Sequence, residues 1–207
     1  MKTNIYIDGF NLYYGAVKRS PYKWLNLDRM CQLLLPQNQI NKIKYFTALV
    51  NARPNDPQQP IRQQTYLRSL RTIPHLEIIE GHFLTSEVSM LVAGSPPNAP
   101  RYARVIKTEE KGSDVNLATH LLNDGYKKDY EMAVVITNDS DLLEPIRIVR
   151  YELNLPVGLL NPHKRPSRAL LPHVNFIKQI RQGVLAASQF PGKLTDAQGT
   201  FHKPASW

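Results

Sequence analysis

Four aspartates in three short segments have the residue type and the placement to bind a divalent cation. They are Asp8 in DGFN (8–11), Asp114 in KGSD (111–114), and Asp139 and Asp141 in TNDSD (137–141). Carboxylates that share one place repel one another, and a divalent cation removes that repulsion. Mg²⁺ prefers hard oxygen ligands, keeps several waters and is usually held directly by one or two carboxylates. Such a site can activate a water molecule and stabilise the charge of an in-line displacement at phosphorus.

Each aspartate also has a simpler explanation. Asp8 precedes a glycine and can shape a turn. Ser113 is a natural helix N-cap, and the helix dipole favours Asp114 beside it. Asp141, with Glu144 three residues later, fits a helix cap with a returning carboxylate. The functional signal is therefore the joint placement of the aspartates at the ends of predicted strands.

The elements that must position these residues alternate between strands and helices. Up to Asp114 the patterns predict strands at 3–8, 40–50 and 76–83, helices at 10–18, 27–35 and 61–71, a loop at 51–60, and a loop at 84–100 flanked by a hairpin with return strand 101–108. Beyond it they predict a helix at 113–124 ended by Gly125, a buried strand at 132–137, a helix at 141–153, a strand at 156–160, and helical parts within 167–185. This alternation predicts an α/β domain with a mainly parallel sheet.

Parallel sheets place all their strand-to-helix turns on one edge, and ligands bind there where the strand order reverses. If strands 3–8 and 132–137 are neighbours at that switch point, Asp8, Asp139 and Asp141 converge. Asp114, at the start of the intervening helix, can then join them.

Composition limits the class of protein. The 207 residues suffice for one domain, predicted at 1–185, followed by a C-terminal tail at 186–207 that is an extended arm or disordered. Cys31 is the only cysteine, which excludes a disulfide within the chain and a cysteine-based zinc site. No apolar run approaches the ~18 residues needed to span a bilayer, so we expect a cytoplasmic protein without a membrane partner.

The charge of the chain is strongly basic. Lys and Arg number 26 against 17 Asp and Glu, a formal charge of +9. Such a surplus suits a polyanionic partner such as nucleic acid, although a merely basic soluble protein is an equal alternative on charge alone.

Three stretches carry a resemblance to a known family: IYIDGFN (5–11), EKGSDV (110–115) and VITNDSDL (135–142). Their order and spacing resemble the NYN domains, a branch of the PIN-like nuclease superfamily, from residue 3 to about residue 160. The resemblance implies a PIN-like three-layer α/β/α fold with a mainly parallel central sheet. It also implies a nuclease site that depends on Mg²⁺ or Mn²⁺ and acts mostly on RNA.

Residue by residue, the resemblance implies an acidic metal set of Asp8, Asp114, Asp139 and Asp141. Asn11 would orient ligands or substrate from the first helix, and Thr137 would support the site at the end of its strand. The chain departs from similar domains at Asn138, where glycine is common, and at Leu142, where phenylalanine is common. Neither departure removes a carboxylate, so only the detailed loop geometry is put in question.

A basic loop is the predicted RNA contact. It follows strand 156–160 and carries Lys164, Arg165 and Arg168, and in a parallel sheet it opens on the same edge as the aspartates. Arg53, just after the second strand, is expected to open there too. Lysine and arginine contacts to phosphates supply affinity that is independent of sequence and weakens with salt. The alternative is a solvated surface loop.

Two adjacent tyrosines have a similar pair of readings. Tyr13 and Tyr14 could stack on unpaired bases, or face the core as such tyrosines more often do.

The leading function is an endoribonuclease in which activated water displaces the 3′-oxygen and leaves a 5′-phosphate. The alternatives are a non-catalytic RNA-binding or scaffold module and a structure-specific DNA nuclease. A phosphatase of the haloacid-dehalogenase type ranks low, because Phe10 stands where that class needs a second aspartate. A homo-oligomer or a regulatory protein partner is left open.

Overall fold

Seven strands form one central sheet in the order β4-β3-β2-β1-β5-β6-β7 in the computed structural model, which describes residues 1–94, 96 and 99–207. The strands are β1 Lys2–Asp8, β2 Gln39–Ala48, β3 Leu76–Leu91, β4 Tyr102–Lys111, β5 Met132–Ile136, β6 Val157–Asn161 and β7 Phe176–Gln179. Every neighbouring pair is parallel except β3 and β4.

Helices cover both faces of the sheet. They are α1 Gly9–Leu12, α2 Leu27–Leu34, α3 Gln59–Leu70, α4 Ser113–Tyr126, α5 Leu143–Arg147 and α6 Gln182–Ala187. Because side chains alternate along a strand, Ile5 and Ile7 of β1 enter the core beside α2 and α3, whereas Tyr6 enters the core beside α4. The three-layer α/β/α fold with a mainly parallel sheet is confirmed.

The strand order reverses between β1 and β5. The chain adds β2 and β3 on one side of β1, then crosses over and adds β5, β6 and β7 on the other. β1 pairs with β5 from Thr3 opposite Met132 to Ile7 opposite Ile136, so Asp8 and Thr137 follow side by side. The expected switch point lies at this boundary.

A buried ion pair fixes α4 against the sheet. Lys44 Nζ lies 2.6 Å from Asp124 Oδ2, and the Tyr6 hydroxyl donates to the same oxygen at 2.8 Å. Lys44 and Asp124 are both buried. Since α4 contacts β1, β2 and β3, this pair sets the position from which the first turn of α4 presents Asp114.

The β3–β4 hairpin is longer than predicted. Residues 84–91 were expected in a loop, but they continue β3 and pair with β4 as far as Leu91 opposite Tyr102. Every residue of this extension except the half-buried Val88 is exposed, so the extension has no buried face of the kind that the strand predictions rest on. Residues 95, 97 and 98 of the predicted loop lie outside the described residues.

Two other predictions differ from the structure. Gly125 does not end α4, which continues to Tyr126. A Cβ added to Gly125 would lie 2.7 Å from Leu153 Cδ1 and from the Tyr130 hydroxyl, so this glycine permits close packing. Residues 176–179, expected to be helical in part, form the edge strand β7, because their partner β6 is supplied by tertiary pairing.

Residues 186–207 pack against the domain. They include the antiparallel hairpin of β8 Lys193–Asp196 and β9 Gly199–His202. Arg68 of α3 holds this hairpin through two hydrogen bonds to Asp196, at 2.7 and 2.6 Å. Three aromatic rings of the segment surround buried Trp24 at centroid distances of 5.9 to 6.4 Å: Phe190, Phe201 and Trp207.

Within the described residues, no helix combines the length and the apolar character needed to cross a membrane.

Candidate active site

Three of the four predicted aspartates line one cavity of about 210 Å³ at the switch point. The cavity lies beyond the carboxyl ends of β1 and β5, at the start of α4. Its lining residues are Asp8, Asp114 and Asp139 together with Phe10, Asn11, Tyr14, Glu110, Ser113 and His163. Asp141 is exposed and is not among them.

Asp8 is the most buried carboxylate of the cavity. Its Oδ1 accepts a hydrogen bond from the backbone N–H of Asn11 at 2.9 Å, which caps α1, and its Oδ2 accepts from the Thr137 hydroxyl at 3.1 Å. Burial, together with the charges of Asp114 and Asp139, raises the pKa of Asp8 to about 6, although these hydrogen bonds oppose the increase. Ionised Asp8 is therefore costly in the free protein, and a bound cation would offset that cost.

Asp139 is held by the turn that follows β5. Its backbone N–H donates to the Thr137 hydroxyl at 3.1 Å, and its Oδ1 accepts from the backbone N–H of Asp141 at 3.0 Å. Asp139, not Asp141, is thus the cap of the short 3₁₀ helix Ser140–Leu142, and the reading of Asp141 as the cap is wrong. Asp139 therefore both caps this short helix and lines the cavity.

Asp114 lies in the first turn of α4. Burial raises its pKa, and the charges of Asp139, Glu110 and Asp141 add to the effect. Gly112, with φ +96°, occupies the cap position that the sequence assigned to Ser113. A left-handed glycine is needed here because β4 must turn sharply into α4.

Glu110 is a fourth carboxylate of the cavity that sequence reasoning did not assign. Its Oε1 accepts from the Ser113 backbone N–H at 3.0 Å. A Cβ on Gly81 would lie 2.7 Å from the same oxygen, so β3 and β4 approach closely where Glu110 enters the site. The signal was available in the EKGSDV stretch, but the predicted return strand ended at residue 108, before Glu110.

Asn11 connects three parts of the site. Its Oδ1 accepts from the backbone N–H of Asn138 at 3.0 Å and lies 2.9 Å from His163 Nε2. Because this oxygen accepts both bonds, Nε2 of His163 must carry the hydrogen and donate it. The oxygen of Asn11 therefore holds protein loops in place. His163 was not assigned from sequence, where it stood among the residues of the basic loop.

Asn138 fastens the basic loop beside the aspartates. Its Nδ2 donates to the Arg165 carbonyl oxygen at 3.2 Å, and its Oδ1 accepts from the Ser167 backbone N–H at 2.6 Å. Glycine, which is common at this position in similar domains, could not make these two hydrogen bonds, so Asn138 holds the loop in a way that glycine cannot. Lys164, Arg165 and Arg168 are exposed on this fastened loop.

Arg53, predicted to open on the same edge as the aspartates, is not part of their cavity. It is exposed in the loop after β2, where its backbone pairs with Asp56.

The carboxylate oxygens of the cavity are hard donors, the type that Mg²⁺ prefers. Across residues 1–94, 96 and 99–207, no three His, Cys, Asp or Glu side chains are grouped so as to hold an ion between them. Mg²⁺ is usually bound through one or two carboxylates, with water completing its shell. Burial is the main cause of the raised pKa values of Asp8 and Asp114, and repulsion among the carboxylates adds to it.

The comparison with protein families shows to which family the chain belongs. Residues 2–178 match the model of the NYN domain. The chain belongs to the NYN domain family. The α/β fold that the structure shows agrees with the nuclease-like fold of this family.

Two comparisons with known proteins are informative. The chain is 33% identical over 237 residues to "6-hydroxy-3-succinoylpyridine 3-monooxygenase HspA" of Pseudomonas putida, an alignment that covers 100% of this chain and 75% of that protein. A crystal structure of a protein of unknown function from Vibrio parahaemolyticus superposes with a TM-score of 0.56 at 15% identity, covering 91% of this chain and 96% of that one. The second likeness shows the fold alone.

Proposed function

We propose that this NYN domain is a Mg²⁺- or Mn²⁺-dependent endoribonuclease. The observation that carries the proposal is the convergence of Asp8, Asp114 and Asp139 in one cavity at the switch point of the sheet. Ligands of open α/β sheets bind at this place, and concentrated carboxylates there suit a divalent cation and a phosphodiester.

Each side chain has a role in the proposed reaction. Asp8 and Asp139 would hold the cation, Asp114 and Glu110 would add negative charge around it, and Thr137 would keep the first two aligned. When bound, the cation supplies water activation and charge stabilisation at phosphorus. Water adds to phosphorus and the bond to the 3′-oxygen breaks, so the products carry a 5′-phosphate and a 3′-hydroxyl.

The basic loop supports RNA as the partner. Lys164, Arg165 and Arg168 are exposed on a loop that Asn138 fastens beside Asp139, so the phosphates that flank the cut would meet positive charge. A pure binding module would gain nothing from carboxylates concentrated beside RNA. A DNA nuclease would use the same chemistry, so the cleavage experiment below compares RNA with DNA.

The relative from Pseudomonas putida gives a second candidate, the oxidation of a pyridine ring. Two observations favour it: the 33% identity over the whole chain, and a second cavity of about 420 Å³ lined by tyrosines. A monooxygenation inserts one atom of O₂ and reduces the other to water with two electrons from a reductant. The ribonuclease is preferred because it uses both the acidic cavity and the basic loop.

Cleavage of labelled RNA tests the proposal. Single-stranded RNA and DNA of one sequence are incubated with Mg²⁺, Mn²⁺ or EDTA, using the wild type, Asp139→Asn and the exposed control Glu152→Gln. Asparagine keeps the helix cap, so the first variant should fold, bind RNA and fail to cut. The control should cut normally, and the products should carry a 5′-phosphate.

The other outcomes point elsewhere. Cleavage of DNA alone would establish the DNA nuclease, and tight RNA binding without cleavage would establish a binding module. Consumption of O₂ with a pyridine acid and NADH, together with no cleavage, would support the oxidation.

A further inference from the structure

A larger cavity adjoins the acidic one. It measures about 420 Å³ and lies between α1 with the turn after it, the first half of α3, the end of β2, and Trp207. Phe10 and Tyr14 line both cavities, so the two spaces share a wall.

Six aromatic residues contribute to the lining of this larger cavity. Tyr13 and Tyr14 form an edge-to-face pair with centroids 5.4 Å apart, and Tyr66 and Trp207 form another at 5.9 Å. Tyr45 and Phe10 are the other two aromatic residues of the lining. A concave site with several planar aromatic walls suits a flat aromatic ligand.

The charged residues of this lining are mostly positive. They are Lys18, Lys23 and Arg62, against the single acid Asp56, with which Arg62 is paired. Lys18 Nζ lies 4.6 Å from the centroid of the Tyr14 ring, at the wall that the cavities share. The ligand that this charge favours is an aromatic ring with an anionic group attached.

Consecutive residues line the two cavities, Asp8 the acidic one and Gly9 the larger one. Gly9, which follows Asp8 directly, packs so closely that an added Cβ would lie 2.7 Å from Tyr45 Cζ and 2.6 Å from the Phe46 carbonyl oxygen. The ring of Tyr45 therefore rests on the backbone next to Asp8. A ligand with a ring on one side and a phosphate on the other would fill both spaces.

We propose that the aromatic cavity receives an unpaired nucleobase of the RNA, next to the phosphodiester held at the acidic cavity. A nucleotide joins a planar ring to a phosphate, as the two adjoining spaces require. The inference rests on the proposed ribonuclease function and extends it by assigning a base-binding subsite.

Calorimetric titration with mononucleotides tests the subsite without any cleavage, since a monophosphate contains no phosphodiester bond. Uridine and adenosine 5′-monophosphates are compared with ribose 5-phosphate, which lacks a base, and with pyridine-3-carboxylate, all with Mg²⁺. Stacking on aromatic side chains contributes ~1–3 kcal/mol per base, so the nucleotides should bind roughly tenfold more tightly than ribose 5-phosphate.

Two pairs of variants locate the effect. Gln59→Trp fills the cavity from the first residue of α3 and should abolish the tenfold advantage, whereas Gln64→Trp, on the exposed side of that helix, should keep it. Tyr14 is 52% exposed, so Tyr14→Ala should fold and reduce the advantage, while Tyr126→Ala at another exposed tyrosine should not.

Three results would overturn the subsite. They are equal affinity for nucleotides and ribose 5-phosphate, an advantage that survives Gln59→Trp, and tighter binding of pyridine-3-carboxylate that Gln59→Trp removes. The last would assign the cavity to a free aromatic acid. A base advantage in a protein that cuts no RNA would refute the ribonuclease alone, and cleavage without a base advantage would refute the subsite alone.

Discussion

The Thr137 hydroxyl donates a hydrogen bond to Asp8 Oδ2 at 3.1 Å, although 129 residues separate the two positions in the chain. The same hydroxyl accepts from the backbone N–H of Asp139. Thr137 is fully buried at the boundary of β1 and β5. One side chain thus sets the spacing between the two carboxylates that the proposed reaction needs most.

Removal of this hydroxyl should impair cleavage. Thr137→Val keeps the shape but leaves a carboxylate oxygen and a backbone N–H without this partner, so we expect a loss of about 1–3 kcal/mol in stability. Cleavage should fall roughly 10- to 100-fold if misalignment of the carboxylates costs a further 1.4 to 2.7 kcal/mol, about one to two factors of ten. Thr137→Ser restores the hydroxyl and should restore activity. Normal kcat in the valine variant would contradict a positioning role.

The raised pKa of Asp8 predicts a pH-dependent stability in the absence of metal. The folded protein holds this proton up to about pH 6, whereas an unfolded aspartate loses it near pH 3.9. The stabilising contribution is therefore complete below about pH 4 and is lost as the pH rises through 6. Asp8→Asn should be about 1–3 kcal/mol more stable than wild type at pH 7.5 in EDTA, and the difference should vanish near pH 4.

Bound metal should make the wild type more stable than Asp8→Asn, the reverse of the order expected in EDTA. Mg²⁺ or Mn²⁺ should raise the melting temperature of the wild type at pH 7.5 and leave Asp8→Asn nearly unchanged, because ligands stabilise the state that binds them. Thermal unfolding measured over a series of pH values, with and without the ion, checks both statements. Equal stabilisation of the two proteins would place the ion away from Asp8.

The basic loop should contribute charge rather than shape. Replacing Lys164 and Arg165 by alanine should weaken RNA binding and reduce the slope of log K against log salt by about 1.4, since each phosphate contact contributes ~0.7 on a single strand. The control replaces Lys127 and Lys193, two exposed lysines that line neither cavity, so the net charge changes equally. If both double variants reduced the salt dependence of RNA binding equally, the basic loop would not be a specific contact site for RNA.

The buried Lys44–Asp124 pair should behave as a unit. Lys44→Met alone leaves the Asp124 carboxylate buried, and removing one partner of a buried pair typically costs about 3–5 kcal/mol. Lys44→Met with Asp124→Leu should recover part of that loss, because apolar packing replaces both charges while the buried Tyr6 hydroxyl loses its acceptor. Urea unfolding of the double-mutant cycle measures the coupling. Additive losses would show that Asp124 does not depend on Lys44.

The elements around the site were predictable to different degrees. β1, β5 and α4 follow from local patterns of apolar residues, and Asp8, Asp114 and Asp139 were assigned from motifs at the ends of such patterns. The outer part of β3 was missed, because an exposed hairpin is defined by its pairing rather than by an apolar face. Glu110 was not assigned because it enters the site only through the return of that hairpin.

The sequence by itself determined the residue types, their positions at the ends of strands and the alternation that makes a parallel sheet. Those features depend on neighbours a few residues apart. Only the tertiary structure decided that Asp139 is the cap, that Asn138 and His163 tie the basic loop to Asn11, and that an aromatic cavity opens beside Asp8. Each of these depends on contacts between segments more than 25 residues apart or on the geometry of a single turn, which strand pairing and packing set together.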